Sequence, residues 1–444
     1  MNEYLSLNTR LLATPDRAGL QAEADGQLDV LVRLQAPEAQ PGAKARPPYG
    51  IALVIDRSGS MTGRPLEQAR RCATFVLDSL HGADKVSLTQ FDNRVEVLSP
   101  ACAAAESGAL RLALSAIHSG GNTNLHGGWR AGADSLAGLP AAFGIRRVVL
   151  LSDGQANEGV VETEAITAQC RELAAAGVTT STYGLGNNFN EELMVAMADA
   201  GQGNHYYGDT ADDLMEPFRQ EFALLANLCL KKVVLTIALP EGIEAEMLND
   251  YQRAEGGGWQ LPDVAWASEA WCVLRIRVPK ARLPSVGSPL VVARVRVVAE
   301  DLEGRAVQIE QHAISVPVVG TAAWQGLPVD ELVARRVAEL AAAVVLRRMR
   351  EAAGAGDWAA VGELLAGAEA RFAGNEWVAA ILASMRGLAA AREQRRFMKE
   401  SMFSSARLSK RLSAHDEIQA LAEDRRPVYL RRKAAEGKSE FNLE

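Results

Sequence analysis

The sequence predicts an α/β fold in which a doubly wound, mostly parallel sheet is accompanied by a β-sandwich domain and a C-terminal helical region. Three observations lead to this prediction. Apolar strand-like runs alternate with amphipathic helical runs over residues 48–228, and short strands separated by turns occupy residues 229–326. Residues 327–414 are rich in Ala, Leu, Glu and Arg and have a helical period. A chain of 444 residues is long enough for two or three such domains.

The first strand signal is the alternation of apolar and polar residues at positions 28–34. A Pro- and Ala-rich stretch without periodicity follows at residues 36–48 and is typical of a linker. Strand 28–34 has no partner in its own part of the sequence. We therefore expect residues 1–47 to belong to the β-sandwich, with the α/β domain inserted between the two parts of the β domain.

The α/β domain is indicated by near-continuous apolar strands, such as residues 50–56, 85–91 and 146–153, with amphipathic helices between them. This pattern is typical of a parallel sheet that is covered on both faces. Only residues 92–94 separate the strand at 85–91 from the next strand at 95–99. These two strands are therefore expected to form an antiparallel hairpin at one edge of the sheet.

The remaining elements follow in order along the chain. Strands of the β domain are predicted at residues 231–239, 270–278, 289–300 and 307–319. Helices are predicted at residues 330–353, 358–372, 376–398 and 402–412, with Gly-containing turns after the first two. Residues 415–444 form a charged tail. Between Arg392 and Lys438 there are 13 Lys and Arg residues against 7 Asp and Glu, which indicates either a solvated basic face or a docking segment for an acidic partner.

Composition excludes several classes of function. The 47 Lys and Arg residues against 55 Asp and Glu give a net charge of −8, so nucleic acid is not expected as the partner. The N-terminus has no basic start followed by an apolar run, and no segment has the 18 apolar residues of a membrane span. The five cysteines are scattered and form no Cys-x-x-Cys pair. These features predict a cytoplasmic location with reduced thiols.

Three polar segments follow predicted strands or precede a predicted helix. A D-x-S-x-S motif occupies residues 56–60, a Gly-rich loop occupies residues 120–124, and a third strand ends at Asp153. Open α/β sheets bind ligands in the crevice at the carboxyl ends of their strands. The candidate site residues are Asp56, Ser58, Ser60, Thr123 and Asp153.

All five candidate side chains present oxygen atoms, and the set contains no His or Cys. Such hard ligands suit Mg²⁺, Mn²⁺ or Ca²⁺ rather than zinc or copper, with Mg²⁺ the first expectation. In the alternative interpretation, Asp56 and Ser58 cap the helix that starts near residue 65 and Asp153 forms an ordinary turn. Three motifs in order, each after the expected kind of element, favour the metal site.

This ordered set resembles the von Willebrand factor type A domain with its metal-ion-dependent adhesion site. The resemblance covers about residues 48–228 and all five candidate residues. It implies that Ser58, Ser60 and Thr123 are direct ligands of a divalent cation, whereas Asp56 and Asp153 act directly or through water. The flanking β region and helical tail resemble bacterial intracellular multidomain proteins of this class, and also the secreted inter-α-trypsin inhibitor heavy chains.

The resemblance and the donor set imply a non-enzymatic, metal-dependent protein-binding module in a cytoplasmic scaffold or adaptor. A protein partner would supply an Asp or Glu carboxylate to the cation. Two alternatives stay open. A metal-assisted hydrolase would need a general base other than Asp56 and Asp153. A regulatory subunit of a separate ATPase machine, as in the magnesium chelatase family, would agree with the lack of a phosphate loop in this chain.

Overall fold

The computed structural model describes nine stretches of the chain: residues 9–37, 46–140, 142–153, 156–185, 190–208, 221–222, 225, 227–254 and 256–410. The predicted charged tail at 415–444 and most of the predicted linker lie outside these residues. The described residues divide into two compact units. The first lies within Lys44–Asn227 and Leu302–Gly304, and the second within Met1–Ala43, Leu228–Asp301 and Arg305–Glu444.

The elements are numbered in chain order. The strands are β1 (Arg10–Pro15), β2 (Leu20–Gln21), β3 (Gly26–Gln35), β4 (Tyr49–Asp56), β5 (Lys85–Phe91), β6 (Val95–Ala103), β7 (Ile145–Ser152), β8 (Val178–Leu185), β9 (Gln202–Gly208), β10 (Leu228–Ala238), β11 (Glu244–Met247), β12 (Trp259–Gln260), β13 (Val264–Ala265), β14 (Glu269–Val278), β15 (Pro289–Glu300) and β16 (Ala306–Val319). The α-helices are α1 (Arg64–Ser79), α2 (Gly108–Ser115), α3 (Leu125–Ala137), α4 (Thr163–Ala175), α5 (Glu191–Ala200), α6 (Thr321–Gln325), α7 (Glu331–Gly354), α8 (Trp358–Phe372), α9 (Glu376–Ala391) and α10 (Gln394–Lys410).

The first unit is the predicted α/β domain. Its sheet has the strand order β6-β5-β4-β7-β8-β9, and all neighbours are parallel except β5 and β6. The prediction of a mostly parallel sheet with one antiparallel edge hairpin is therefore confirmed. Every residue of the central strand β4 is buried, because helices cover both faces of the sheet.

Helix α3 lies unusually close to the sheet because two glycines face the strands. A Cβ atom at Gly128 would lie 2.3 Å from Cδ1 of Phe91, and one at Gly132 would lie 2.2 Å from Cγ2 of Val54. Neither position has room for a side chain. This close packing fixes the N-terminal end of α3, where the Gly-rich loop enters the helix.

The β part of the second unit consists of two facing sheets. One has the order β1-β3-β14-β11 and the other the order β12-β10-β15-β16-β2, with β13 also paired to β10. Strand β3 pairs antiparallel with β14 along its whole length, from Gln35 opposite Glu269 to Gly26 opposite Val278. A shared apolar core contains residues of both sheets, as expected for a sandwich. The strand that the sequence predicts at 28–34 thus lies inside this β domain. The expectation that it has no partner in its own part of the sequence is wrong, because β1 pairs with β3 antiparallel.

The C-terminal helices belong to the same compact unit as the β strands. Val333 and Leu340 of α7 pack against Leu31, Trp271 and Val273 of the sheet and form a small apolar cluster with them. A second core lies among α7, α8, α9 and α10. The helical region is therefore joined to the β domain through α7 rather than packed only on itself.

The structure corrects two predicted helix boundaries. The prediction of one helix over 376–398 is wrong, since α9 ends at Ala391 and Arg392 takes the left-handed conformation with φ of 51°. The last helix begins at Gln394, earlier than the predicted residue 402. Within the described residues, no helix has the length and apolar character needed to cross a membrane.

Candidate metal centre

The carboxyl ends of two neighbouring strands bring the two candidate aspartates close together. Strands β4 and β7 are parallel with Ile55 opposite Leu151, so Asp56 and Asp153 follow the paired segment at the same edge of the sheet. Asp56 is fully buried and Asp153 is 4% exposed. Carboxylates are rarely buried to this extent unless they are paired, hydrogen-bonded or bound to a metal.

Hydrogen bonds fix the Asp56 carboxylate at both oxygens. The Ser58 backbone N–H donates to Oδ1 over 2.8 Å, and the Ser152 hydroxyl donates to Oδ2 over 2.5 Å. Burial raises the pKa of Asp56 to about 6, and repulsion from Asp153 adds to the rise, although the hydrogen bonds from Ser152 and Ser58 oppose it. The two aspartates therefore interact electrostatically, and a cation near both would relieve their repulsion.

The two serines of the D-x-S-x-S motif place their hydroxyls side by side. The Oγ atoms of Ser58 and Ser60 are 3.1 Å apart, with Ser58 buried and Ser60 exposed. Neither serine caps α1, whose first turn follows Gly63 and has no side-chain cap. The Asp56 oxygens accept from the Ser58 N–H and the Ser152 hydroxyl rather than from the N–H groups of the helix. The capping interpretation of this motif is therefore wrong.

The Gly-rich loop is hydrogen-bonded to the D-x-S-x-S loop on its backbone. The Gly59 N–H donates to the Gly121 carbonyl over 3.0 Å, and the Gly120 N–H donates to the Arg57 carbonyl over 2.7 Å. Gly121 has φ of +78°, and a Cβ atom there would lie 2.5 Å from Oδ1 of Asn93. Glycine is required at this position by both its backbone conformation and its neighbours.

The loop after β7 holds the other side of the Gly-rich loop. Thr123, which is 2% exposed, donates its N–H to Oδ1 of Asn157 over 2.9 Å. The Thr123 carbonyl accepts from the N–H groups of Asn157 and Glu158 over 3.2 and 3.3 Å. Asn124 then caps α3 by accepting from the Gly127 N–H over 3.0 Å. All three loops that carry candidate residues are thus linked by hydrogen bonds.

A third carboxylate near these loops already has a cationic partner. The Asp92 side chain, which follows β5, pairs with the guanidinium of Arg57 over 2.7 Å and accepts from the Arg94 N–H over 2.7 Å. Its carbonyl accepts from the Asn124 N–H over 2.8 Å. Asp92 therefore connects the D-x-S-x-S loop with the Gly-rich loop, and its charge is balanced by Arg57.

The sequence interpretation missed three residues of this arrangement: Ser152, Asp92 and Asn157. Ser152 and Asn157 stand next to or shortly after Asp153, and their roles depend on contacts across strands and loops that spacing alone does not reveal. Asp92 lies in the short hairpin turn between β5 and β6, where aspartate is common for local reasons.

The chemistry of the donor set fits a hard divalent cation. Two carboxylates and three hydroxyls lie on three linked loops, and such oxygen ligands suit Mg²⁺, Mn²⁺ or Ca²⁺. Among the described residues, no cluster of three or more His, Cys, Asp or Glu side chains could hold a metal. A zinc-like site of that kind is thus not found in the described part of the chain.

Comparisons with known proteins agree with this architecture. The sequence model of the von Willebrand factor type A domain matches residues 50–220. The chain is 27% identical over 198 residues to the uncharacterized protein sll0103 of Synechocystis, a match that covers 44% of this chain and 46% of that protein. It is 28% identical over 187 residues to inter-alpha-trypsin inhibitor heavy chain H3 of Homo sapiens, covering 40% of this chain and 21% of that protein.

Two solved structures share the fold over most of the chain. A von Willebrand factor type A protein from Catenulispora acidiphila has a TM-score of 0.68 at 18% identity and covers 93% of this chain and 100% of its own. The ArnB paralog VWA2 from Sulfolobus acidocaldarius has a TM-score of 0.60 at 15% identity, covering 90% and 99%. The chain spans less than half the length of the curated relatives named above. Residues 50–220 of this protein form a von Willebrand factor type A domain.

Proposed function

We propose that this protein is a non-enzymatic, metal-dependent protein-binding module that acts in a cytoplasmic scaffold or adaptor. One observation carries the proposal. Three hydrogen-bonded loops at the carboxyl edge of a parallel sheet carry two buried carboxylates and three hydroxyls, and the sheet belongs to a von Willebrand factor type A domain. Nucleic acid is not part of the proposal, since the net charge is −8.

In this proposal, Ser58, Ser60 and Thr123 bind a divalent cation, with Mg²⁺ first and Mn²⁺ or Ca²⁺ as alternatives. Asp56 and Asp153 balance its charge directly or through water. Mg²⁺ usually keeps several exchangeable ligands. A carboxylate from an Asp or Glu of the protein partner would take one of these positions, and Ser60 is exposed to solvent.

The hydrogen bonding of the serines supports a binding role rather than a catalytic one. Nucleophilic catalysis by a serine needs a base that accepts its proton. The Ser58 and Ser60 hydroxyls bond to each other, while His126 is 3.1 Å from the side-chain oxygen of Gln169 through Nε2. This arrangement supports a role for the two hydroxyl oxygens as metal ligands.

Calorimetric titration with Mg²⁺ tests the metal-binding part of the proposal. Wild-type protein should bind one Mg²⁺ ion per protein molecule, and a Ser58→Ala/Ser60→Ala double variant should lose that binding. Ser115→Ala is a matched control, because Ser115 is exposed on α2 and its hydroxyl donates only a local bond to Leu112. Equal binding by all three proteins would contradict the site.

Capture of partners tests the second part. Immobilised wild-type protein and the double variant would be compared in Mg²⁺ and in EDTA, with bound proteins identified by mass spectrometry. We expect a set of partners that needs both Mg²⁺ and the two serines. Partners that bind equally in EDTA would place the contact surface elsewhere on the chain.

A further inference from the structure

Among the three proposed ligands, Thr123 differs in that both its backbone N–H and its backbone carbonyl form hydrogen bonds with another loop, the one after β7. Its N–H donates to the Asn157 side chain over 2.9 Å, and its carbonyl accepts from the Asn157 backbone N–H over 3.2 Å. A single residue after β7 therefore bonds both polar backbone groups of Thr123. Within the described residues, no single residue forms hydrogen bonds to both the N–H and the carbonyl of Ser58 or of Ser60.

The chain on either side of Thr123 shows why this contact matters. On its N-terminal side, Gly121 takes a left-handed conformation, and its carbonyl accepts from the Gly59 N–H over 3.0 Å. On its C-terminal side, Asn124 uses its side chain to cap α3. The Thr123 hydroxyl can be aimed reproducibly only if its own backbone is held, because side-chain direction follows the backbone dihedrals.

The loop that carries Asn157 is itself fitted closely to the Gly-rich loop. Gly159 has φ of +74°, and a Cβ atom there would lie 2.6 Å from Oδ1 of Asn124. The Glu158 N–H adds a second bond to the Thr123 carbonyl over 3.3 Å. Of the three hydrogen bonds that this loop makes to the Thr123 backbone, the one from the Thr123 N–H is accepted by the Asn157 side chain, and the other two are donated by backbone N–H groups.

We infer that Asn157 is a positioning residue of the metal centre, which sets the direction of the Thr123 hydroxyl through the Thr123 backbone and does not itself bind the ion. The inference rests on the proposed function, because it presumes that Thr123 is a ligand. It assigns a role to the segment after Asp153 that goes beyond the five candidate residues. Residues that orient metal ligands in this indirect way typically contribute 10–100-fold to metal affinity.

The chemistry of the contact suggests two opposite substitutions. Asn157→Ala removes the oxygen that accepts from Thr123, whereas Asn157→Asp keeps an acceptor at the same distance from the backbone. Asn157 is exposed, so truncation leaves no cavity in the core. Asn157→Leu has a similar volume and lacks an acceptor, and it serves as a second variant if the alanine variant folds poorly.

Mn²⁺ titration followed by electron paramagnetic resonance, which counts the free ion, measures the affinity of each variant. We expect Asn157→Ala and Asn157→Leu to weaken Mn²⁺ binding by roughly 10–100-fold. Asn157→Asp should stay within about threefold of wild type or bind more tightly. Val161→Ala, at a residue of the same loop that is 40% exposed, should bind Mn²⁺ as tightly as wild type.

The outcomes separate this inference from the proposal on which it rests. Absence of Mn²⁺ binding by wild-type protein would overturn both. Wild-type binding together with unchanged affinity in the alanine and leucine variants would overturn the inference alone. A similar loss in the aspartate variant would also overturn it, because an acceptor would then not be what Thr123 requires.

Discussion

Replacement of Asp56 by asparagine tests the electrostatic state of the site in the absence of a cation. Asparagine keeps an oxygen for the Ser58 N–H, and its amide can donate to the Ser152 oxygen where the carboxylate now accepts. Asp56→Ala would instead leave the Ser58 N–H and the Ser152 hydroxyl without this acceptor. Asparagine therefore removes the charge with the least loss of hydrogen bonding.

The expected magnitude follows from the pKa of Asp56. Burial, with a contribution from Asp153, raises this pKa from 3.8 to about 6. Because the folded pKa is the higher one, the stability contributed by this group is fully present below pH 3.8 and is lost as the pH rises through about 6. At about 1.4 kcal/mol per pKa unit, the ionised carboxylate costs the cation-free domain about 3 kcal/mol at neutral pH.

Asp56→Asn should therefore be more stable than wild type by up to about 3 kcal/mol near pH 7.5 in EDTA, and the difference should vanish near pH 4. Mg²⁺ at 100 times its Kd should stabilise wild type by about 2.7 kcal/mol and the variant by much less. Hydrogen exchange measured by mass spectrometry on β4 and β7 peptides reports the α/β domain separately from the other unit.

Two results would refute this reasoning. A variant that is less stable than wild type in EDTA at neutral pH would show that the Asp56 charge carries no penalty in the cation-free domain. Equal stabilisation of both proteins by Mg²⁺ would show that the ion binds without the Asp56 carboxylate.

Two other substitutions have matched controls in the chain. Gly121→Ala forces a left-handed alanine at a cost of about 1–2 kcal/mol, so hydrogen exchange on β4 peptides should show the unfolding free energy of the α/β domain falling by about that amount. Gly120→Ala, with open space around it, should be as stable as wild type, and an equal loss in both would contradict the geometric explanation. Leu340→Ala should lower the unfolding free energy of the β and helical unit by about 2–5 kcal/mol in urea titrations. Val344→Ala, 39% exposed on the same helix, should change it by about 0.5 kcal/mol or less, and similar effects would argue against packing of α7 on the sheet.

The architecture of the α/β domain could be predicted because its signals are local. A strand such as β4 is apolar throughout, and the three residues between β5 and β6 leave room only for a hairpin. The candidate residues could also be located, since parallel strands end at a common edge. The hydrogen bonds from Ser152 to Asp56 and from Thr123 to Asn157 could not, because each joins residues that are distant in sequence.

The helical region shows a different limit of sequence interpretation. Arg392 ends α9 in a left-handed conformation that glycine or asparagine usually adopts, so the sequence carries no stop signal there. The packing of Leu340 against Trp271 could not be predicted either, because the pattern of an amphipathic helix shows which face is apolar but not which element packs against it. Tertiary contacts determined both features.

Anomalous diffraction from crystals grown in millimolar MnCl₂ tests most directly whether Ser58, Ser60 and Thr123 bind a divalent cation beside Asp56 and Asp153. We expect one strong manganese peak among the three hydroxyl oxygens, and its loss in crystals of the Ser58→Ala/Ser60→Ala variant. A map with no anomalous peak at these loops, or with manganese bound only elsewhere on the chain, would show that these residues do not form the metal site.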